Sequence, residues 1–284
     1  MPVQGNYITR NNNEPITKSE RDTFYRFIDR EFQFKLQWYN GNSAERRLQK
    51  AIKNLKLSSL EELQSHLHCG KVSFQDFINL FTVNVTEVFR EPNSLNELRT
   101  SVLPFFRDCD EFKVLLVGSS TGEELATLCI ILKENGLLER SEIVATDIDK
   151  KVLEQAFKPK LNKSNLSKGQ KNYLIAGGFR ELDYYFLGAG SQAFLDESLL
   201  KNVQFKQFDI CHSNLNDHFD LIICKNVLIY FQYAEQHRLI NNLGRHMNPK
   251  AFLALGEKES IMRLSKLSSS FASVSTDYNI YRKN

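Results

Sequence analysis

Two short segments carry the residues best suited to hold a ligand. Gly118-Ser119-Ser120-Thr121-Gly122 follows the apolar run Phe112 to Val117, and Asp147-Ile148-Asp149 follows Glu142 to Thr146. Small residues after a strand let the backbone approach a bound molecule, and the helix behind them offers free N–H groups. An acidic residue ending the next strand can accept both hydroxyls of a ribose. A charge-assisted bond of that kind contributes about 1.5–3 kcal/mol. Loop and acid together point to an adenosine-containing cofactor. The loop lacks the G-x-G-x-x-G spacing and no Walker lysine follows it. A pyrophosphate should prefer that three-glycine fingerprint, so S-adenosylmethionine is favoured over NAD. Each feature also has a plain structural reading. The loop can be a tight turn capped by Thr121 and Glu124, and the acid can be a helix N-cap, a role open to Asp149 instead.

Other reactive residues do not complete a site. His66-x-His68-Cys69 and Cys211-His212 are too closely spaced to share a helix face, and no zinc spacing completes either. No metal is expected. No Ser/His/Asp or Cys/His nucleophile signature is present. Arg46, Lys50 and Lys53 repeat at i, i+4 and i+7 and so share one helix face. That face reads either as solvated surface or as a docking surface.

The elements that must position these residues change character along the chain. Residues 1–17 are polar and are expected to form a flexible tail. From Ser19 to about Phe106 the apolar spacing is helical: Phe24, Phe27, Ile28 and Phe32 form one stripe, and Leu48, Ile52 and Leu55 another. Ser58-Ser59-Leu60-Glu61-Glu62 is a capping-box signature. Strands begin only after Glu111. They are expected at 112–117, 142–146, 203–208, 219–224, 251–255 and 278–282, with helices over 123–133, up to about 157, and over 233–246, the last stopped by Asn248-Pro249. Alternating strands and helices imply an α/β fold with a mostly parallel sheet. The expected domains are a helical one over 18–106 and a sheet-based one over 107–284, with a small insert at about 159–200.

Composition excludes several classes. With 284 residues, 42% hydrophobic and 25% charged, the chain can bury a full-sized core. A net charge of +3 is too mild to argue for nucleic acid. The apolar stretch Leu125 to Leu132 is far shorter than the roughly 18 residues that span a bilayer. The N-terminus lacks the pattern of a secretory signal, and five cysteines without CxxC pairing read as reduced thiols. A cytoplasmic protein without membrane insertion is expected.

Four motifs, in order, bear a family resemblance. Asn84-Val-Thr86-Glu-Val-Phe89-Arg90-Glu91 resembles N-x-T-x-F-F-R-E, and Ser120-Thr121-Gly122-Glu123-Glu124 resembles S-T-G-E-E. Ala145-Thr146-Asp147-Ile148-Asp149 resembles A-T-D-I-D, and Phe219-Asp220 through Cys224-Lys225-Asn226-Val227-Leu228-Ile229-Tyr230-Phe231 resembles F-D-x-I-x-C-R-N-V-x-I-Y-F. Over about residues 19–284 the sequence resembles the CheR family of chemotaxis receptor glutamate methyltransferases. The chain departs from the family at Leu125, where proline is usual, and at Lys225, where arginine is usual. Asp209-Ile210 stands where the family has Asn-Leu.

The resemblance implies a helical N-terminal domain followed by a Rossmann-like methyltransferase domain with a small β-subdomain inserted in it. It implies methyl transfer from S-adenosylmethionine to receptor glutamates, giving γ-methyl esters and S-adenosylhomocysteine. Asn84, Thr86, Arg90, Glu124, Asp147, Asp209, Ile210, Asn226 and Val227 would line the cofactor site, with Arg90 and Tyr230 nearest the transferring methyl. The partner would be the cytoplasmic helical region of chemoreceptors, met by Arg46, Lys50 and Lys53, and the enzyme is expected to be a monomer. Two other readings compete. One is a non-catalytic relative that binds the cofactor and signals through protein contacts, which the intact Arg90 and Tyr230 disfavour. The other is a methyltransferase for a small molecule or nucleic acid, disfavoured by the missing N-P-P-Y motif and the modest charge.

Overall fold

The computed structural model describes residues 16–188, 191–212, 215–261 and 270–284. Residues 1–15 of the expected tail lie outside them, while Thr17 is the N-cap of the first helix. The chain divides into two compact units, one ending at Val83 and one beginning at Asn84.

The first unit is helical. Helices α1 (Lys18–Phe32), α2 (Gly41–Asn54), α3 (Leu60–His68) and α4 (Phe74–Phe81) each begin where the local chemistry supplies a start. Thr17 and Glu20 form a capping box for α1, and Ser59 and Ser73 accept the N–H of Glu62 and Asp76. The apolar stripes meet in an aromatic core of Phe24, Phe34, Phe77 and Phe81, with rings at edge-to-face or stacked distances of 5.6 to 6.2 Å. In α2, Ala44, Arg47, Leu48 and Ala51 are buried, whereas Ile52 and Leu55 are only half-buried. Arg47 stacks its guanidinium 5.5 Å from the Phe81 ring. Arg46, Lys50 and Lys53 are exposed, as their spacing predicts.

The unit boundary falls at 83/84, earlier than the 106/107 expected from the helical pattern. The cause is packing. Residues 92–106 form α5 (Pro92–Glu97), a π-turn over Leu98–Val102 and a 3-10 turn over Leu103–Phe106. Their apolar side chains Leu95, Leu98, Val102, Leu103 and Phe106 join the core under the sheet. Phe106 stacks on Phe112, the first residue of the first strand, with centroids 4.5 Å apart.

The second unit continues with β1 (Phe112–Val117), α6 (Glu123–Glu134), β2 (Ser141–Asp147), α7 (Lys150–Ala156), β3 (Lys160–Asn162), α8 (Lys163–Ile175), β4 (Phe186–Leu187), β5 (Gln192–Leu195) and β6 (Val203–Gln207). After these come β7 (Phe219–Cys224), α9 (Tyr233–Arg245), β8 (Met247–Leu255), β9 (Phe271–Ser275) and β10 (Ile280–Lys283). Seven strands form one sheet in the order β6-β2-β1-β7-β8-β10-β9. The pairs β6–β2, β2–β1, β1–β7 and β7–β8 are parallel, and β10 runs antiparallel to both its neighbours. Strands β1, β2 and β7 are almost wholly buried, which is why they read as continuous apolar runs rather than alternating ones. The apolar stretch 125–132 is the buried body of α6. Among the described residues, no helix is long and apolar enough to cross a membrane. Within the region expected as an insert, β3, β5 and β4 form a small antiparallel sheet.

Two local expectations are corrected. Pro249 lies beyond α9, which ends at Arg245, but also inside β8, which begins at Met247 rather than at Ala251. The register between β7 and β8 shifts from Phe219↔Met247 to Leu221↔Phe252, so Asn248-Pro249-Lys250 is bulged out and the missing N–H costs no ladder bond. The loop after β1 is not capped by Thr121. The N-cap of α6 is Gly122, in a left-handed conformation at φ 100°, with no side-chain cap.

Candidate active site

In an open α/β sheet, ligands bind beyond the carboxyl ends of the strands where the strand order reverses. Here that point lies between β1 and β7, the first strand and the strand added on its other side. The loops leaving β1, β2 and β7 carry the second, third and fourth motifs.

The β1 loop is held in shape by backbone bonds. Gly118 and Ser119 both donate to the Thr146 carbonyl at 2.8 Å, which ties the loop to the end of β2. A Cβ on Gly118, at φ 79°, would lie 2.7 Å from Val227 Cγ2, so the β1 and β7 loops touch where only glycine fits. Ser120 is itself left-handed at φ 49°. Ser119 and Ser120 are buried, and neither hydroxyl has a hydrogen-bond partner among the described residues. Buried hydroxyls are rarely left unpaired. The loop therefore presents two polar groups and an amide-rich turn that a bound molecule can satisfy.

Asp147 sits beside this loop, only 8% exposed. Its Oδ2 accepts the Ser120 N–H at 2.9 Å and its Oδ1 accepts the Asp149 N–H at 3.0 Å. Burial raises its pKa, and the backbone donors of Asp149 and Ser120 act against that rise. Asp149, not Asp147, caps α7 by accepting the Lys151 N–H at 2.9 Å. The capping alternative for Asp147 is thereby filled by its neighbour. Asn84 Nδ2 donates to the other Asp149 oxygen at 3.3 Å, which brings the first motif to the end of β2.

The first and fourth motifs are joined by a buried ion pair. Lys225 Nζ lies 3.1 Å from Glu91 Oε2 and donates to Ser94 Oγ at 3.1 Å. Glu91 also accepts from Asn226 Nδ2 at 2.9 Å and from the Glu257 N–H at 3.3 Å. Burial would raise the Glu91 pKa, but Lys225 and these donors bring it below the ordinary carboxylate range. Phe89, Glu91 and Asn226 are all left-handed, at φ 53°, 54° and 58°. Non-glycine residues there cost roughly 1–3 kcal/mol each and persist where surroundings impose them, characteristically at functional sites. Glu124, in the first turn of α6, feels this charge cluster. Desolvation pushes its carboxyl up to about 7, Lys225 and Arg90 pull it down, and Glu91 and Glu259 push it up.

Thr86, Arg90, Tyr230, Asp209 and Ile210 are the remaining sequence candidates. Arg90 is half-buried and donates to the Val85 carbonyl at 3.3 Å. Thr86 lines a cavity of about 260 Å³ with Glu123, Asn165 and Lys168. Tyr230 ends a 3-10 turn, Leu228–Tyr230, that continues from Val227. Phe208 donates to the Asp147 carbonyl at 3.0 Å, so Asp209 and buried Ile210 follow directly from a residue bonded to Asp147. Asp209 accepts the Cys211 N–H at 2.8 Å and pairs with His212 Nδ1 at 3.1 Å. Ligand atoms of Asp209, Cys211 and His212 come within 4.8 Å of one another. Burial and the Asp209 charge drive the Cys211 thiol above its ordinary pKa. Glu91, Glu259 and the two serine hydroxyls were not singled out from sequence, and Lys225 was noted only as a departure from the family pattern. Glu91 and Lys225 stood inside the quoted motifs, whereas Glu259 lay in none.

An adenosine cofactor fits these residues. The glycine-lined turn admits close backbone approach, the orphaned serine hydroxyls need partners, and Asp147 presents a buried carboxylate free of capping duty. The family model for the CheR methyltransferase, SAM binding domain, matches residues 84–278. A protein of Pseudomonas putida named "Putative methyltransferase Cher3" is 33% identical over 245 residues, covering 86% of this chain and 89% of that one. A chemotaxis protein methyltransferase of Listeria monocytogenes is 26% identical over 251 residues, covering 87% and 93%. Among solved structures, the N-methyltransferase NodS of Bradyrhizobium japonicum, in complex with S-adenosyl-l-homocysteine, gives a TM-score of 0.40 at 13% identity over 69% of this chain and 88% of that one, a distant likeness. The match begins at Asn84, the residue that opens the second compact unit. The chain belongs to the CheR family of S-adenosylmethionine-dependent methyltransferases.

Proposed function

We propose that this protein methylates glutamate side chains of chemotaxis receptors, producing γ-methyl esters and S-adenosylhomocysteine. The observation that carries the reading is the extent of the family match, which takes in the Asn84–Glu91 motif together with the three sheet-edge segments. Relatives from Listeria monocytogenes and Vibrio cholerae are named chemotaxis protein methyltransferases, in keeping with a receptor substrate.

In this reading Asp147 takes the ribose hydroxyls, and the Gly118–Gly122 turn lies against the cofactor. Asn84, Thr86, Glu124, Asp209, Ile210, Asn226 and Val227 complete the wall. Bound S-adenosylmethionine supplies a cationic sulfonium carrying an electrophilic methyl group. A glutamate side chain, with a reference pKa of about 4.3, is already an anion at neutral pH. One of its oxygens forms the new O–CH3 bond while the S–CH3 electron pair leaves with sulfur. No proton moves, so the chain has no general base to supply. Its work is alignment, and a held near-attack geometry can supply roughly 7–11 kcal/mol. Arg90 orients a carboxylate with its guanidinium, and Tyr230 donates a hydrogen bond beside it. On α2, the exposed Arg46, Lys50 and Lys53 offer a docking face for an acidic helical stretch of receptor.

The test is mass spectrometry of a receptor cytoplasmic fragment incubated with the protein and cofactor. Peptides should gain one methyl group on glutamate, and replacing those glutamates by alanine should abolish the gain. Methylation confined to lysine, asparagine or the cofactor's own degradation products would reject the assignment.

A further inference from the structure

Glu259 lies just beyond β8, in a segment outside all four motifs. It is 2% exposed, and among the described residues it accepts hydrogen bonds from backbone N–H groups rather than from a cation. Oε2 accepts the N–H of Gly256 at 2.7 Å and of Asn226 at 2.8 Å, and Oε1 accepts the N–H of Ile229 at 3.1 Å. The Gly256 bond closes a local turn, in which Glu259 N donates back to the Gly256 carbonyl at 2.9 Å. The other two bonds cross to the segment leaving the adjacent parallel strand β7. They grip that segment on both sides of Val227, at a residue held left-handed and at the first turn leading into Tyr230. A buried acceptor with these donors is costly to alter, because each freed N–H would be left without a partner.

Packing leaves no slack around this grip. A Cβ on Gly256 would lie 2.8 Å from Glu259 Oε2 and 2.9 Å from both nitrogens of Asn226. The opposite side of Asn226 is fixed by its bond to Glu91. The segment 226–230 therefore has its backbone set by one carboxylate and its leading side chain by another.

We infer that Glu259 is a positioning residue of the cofactor site, holding the backbone of Asn226 to Ile229 so that Asn226, Val227 and Tyr230 are presented in fixed register. This rests on the reading that those three residues face the cofactor. It assigns Glu259 no contact with the reacting atoms.

The test uses the full chain and S-adenosylhomocysteine, whose binding needs no methyl acceptor. Glu259→Gln keeps the size of the side chain but turns one acceptor into an NH2 group facing amide donors. Gly256→Ala presses on the same carboxylate from the other side. Calorimetry at a temperature well below each variant's unfolding midpoint should show affinity reduced about tenfold or more in both variants. The double variant should be no weaker than the weaker single one, because both changes undo one grip. In methyl transfer at saturating cofactor, Glu259→Gln should cost much less in a Tyr230→Phe background than alone. A merely structural role would lower the midpoint and leave affinity and this non-additivity unmoved. A folded Glu259→Gln protein with wild-type affinity, or additive losses in the double variant, would overturn the inference. Should Glu259→Gln fail to fold, wild-type affinity in Gly256→Ala overturns it. A wild-type chain that binds S-adenosylhomocysteine but methylates no receptor glutamate would remove the proposed substrate and leave the Glu259 role standing.

Discussion

Glu124 should make cofactor affinity depend on pH. Its carboxyl stands at about 7 in the free protein, chiefly because it is desolvated. S-adenosylmethionine carries a sulfonium and an ammonium, both of which favour an ionised Glu124. Binding near neutrality must therefore expel a proton. With the free group at about 7 and an ionised group in the complex throughout this range, the apparent Kd should rise about tenfold between roughly pH 8 and pH 6. Glu124→Gln should bind more weakly at the higher pH and show no such slope. The same shift has a sign for folding. Since the folded pKa lies above the unfolded value, Glu124 contributes stability below about 4.5 that is lost as pH rises through about 7. Calorimetry in two buffers of different ionisation enthalpy reads both affinity and proton release. A Kd that stays flat in the wild type, or an unaltered slope in Glu124→Gln, would refute the placement of Glu124 beside the cofactor's charge.

Asp147→Ala should weaken S-adenosylmethionine and S-adenosylhomocysteine alike by about tenfold or more, since a charge-assisted bond is worth about 1.5–3 kcal/mol; equal calorimetric affinity in the variant would contradict the ribose assignment. Tyr230→Phe and Arg90→Ala should lower turnover at saturating cofactor while moving the thermal midpoint little, and unchanged turnover in both would remove them from the reacting centre. Lys225→Met should lower stability by about 3–5 kcal/mol, because it leaves the buried Glu91 carboxylate without its cation; denaturant unfolding with an unchanged midpoint would contradict this. Glu at Arg46, Lys50 and Lys53 together should raise the receptor KM and weaken its salt dependence without touching cofactor affinity. A triple variant with wild-type KM at low salt would return that face to ordinary surface.

Much of the sheet was legible because its strands are buried on both faces. Residues 112–117, 142–146 and 219–224 read as apolar runs with turn residues after them, matching strands β1, β2 and β7, and the loops that follow carry the small and acidic residues of the site. Residues 92–106 were legible as helical turns but not as part of the sheet's unit, since periodicity shows an apolar face without showing what covers it. The start of β8 at Met247, before Pro249, was not legible because a bulge leaves no local trace beyond the proline that it tolerates. Strand β9, with exposed residues and a serine-rich sequence, gave no strand pattern at all. Within the site, Asp147 was found from its position after a strand. Glu259 was not, because its partners are backbone amides at Asn226 and Ile229, distant in sequence, and a backbone donor has no residue type to read.

The central claim is that the methyl group ends on a glutamate oxygen. Incubation with cofactor labelled by tritium in its methyl group, followed by alkali, tests it directly. An ester releases volatile labelled methanol, whereas methyl groups on nitrogen stay with the protein. The account predicts base-labile label on receptor cytoplasmic fragments, reduced with Asp147→Ala and with Tyr230→Phe. Label that resists alkali, or that never reaches the receptor while wild-type protein binds the cofactor, would contradict it.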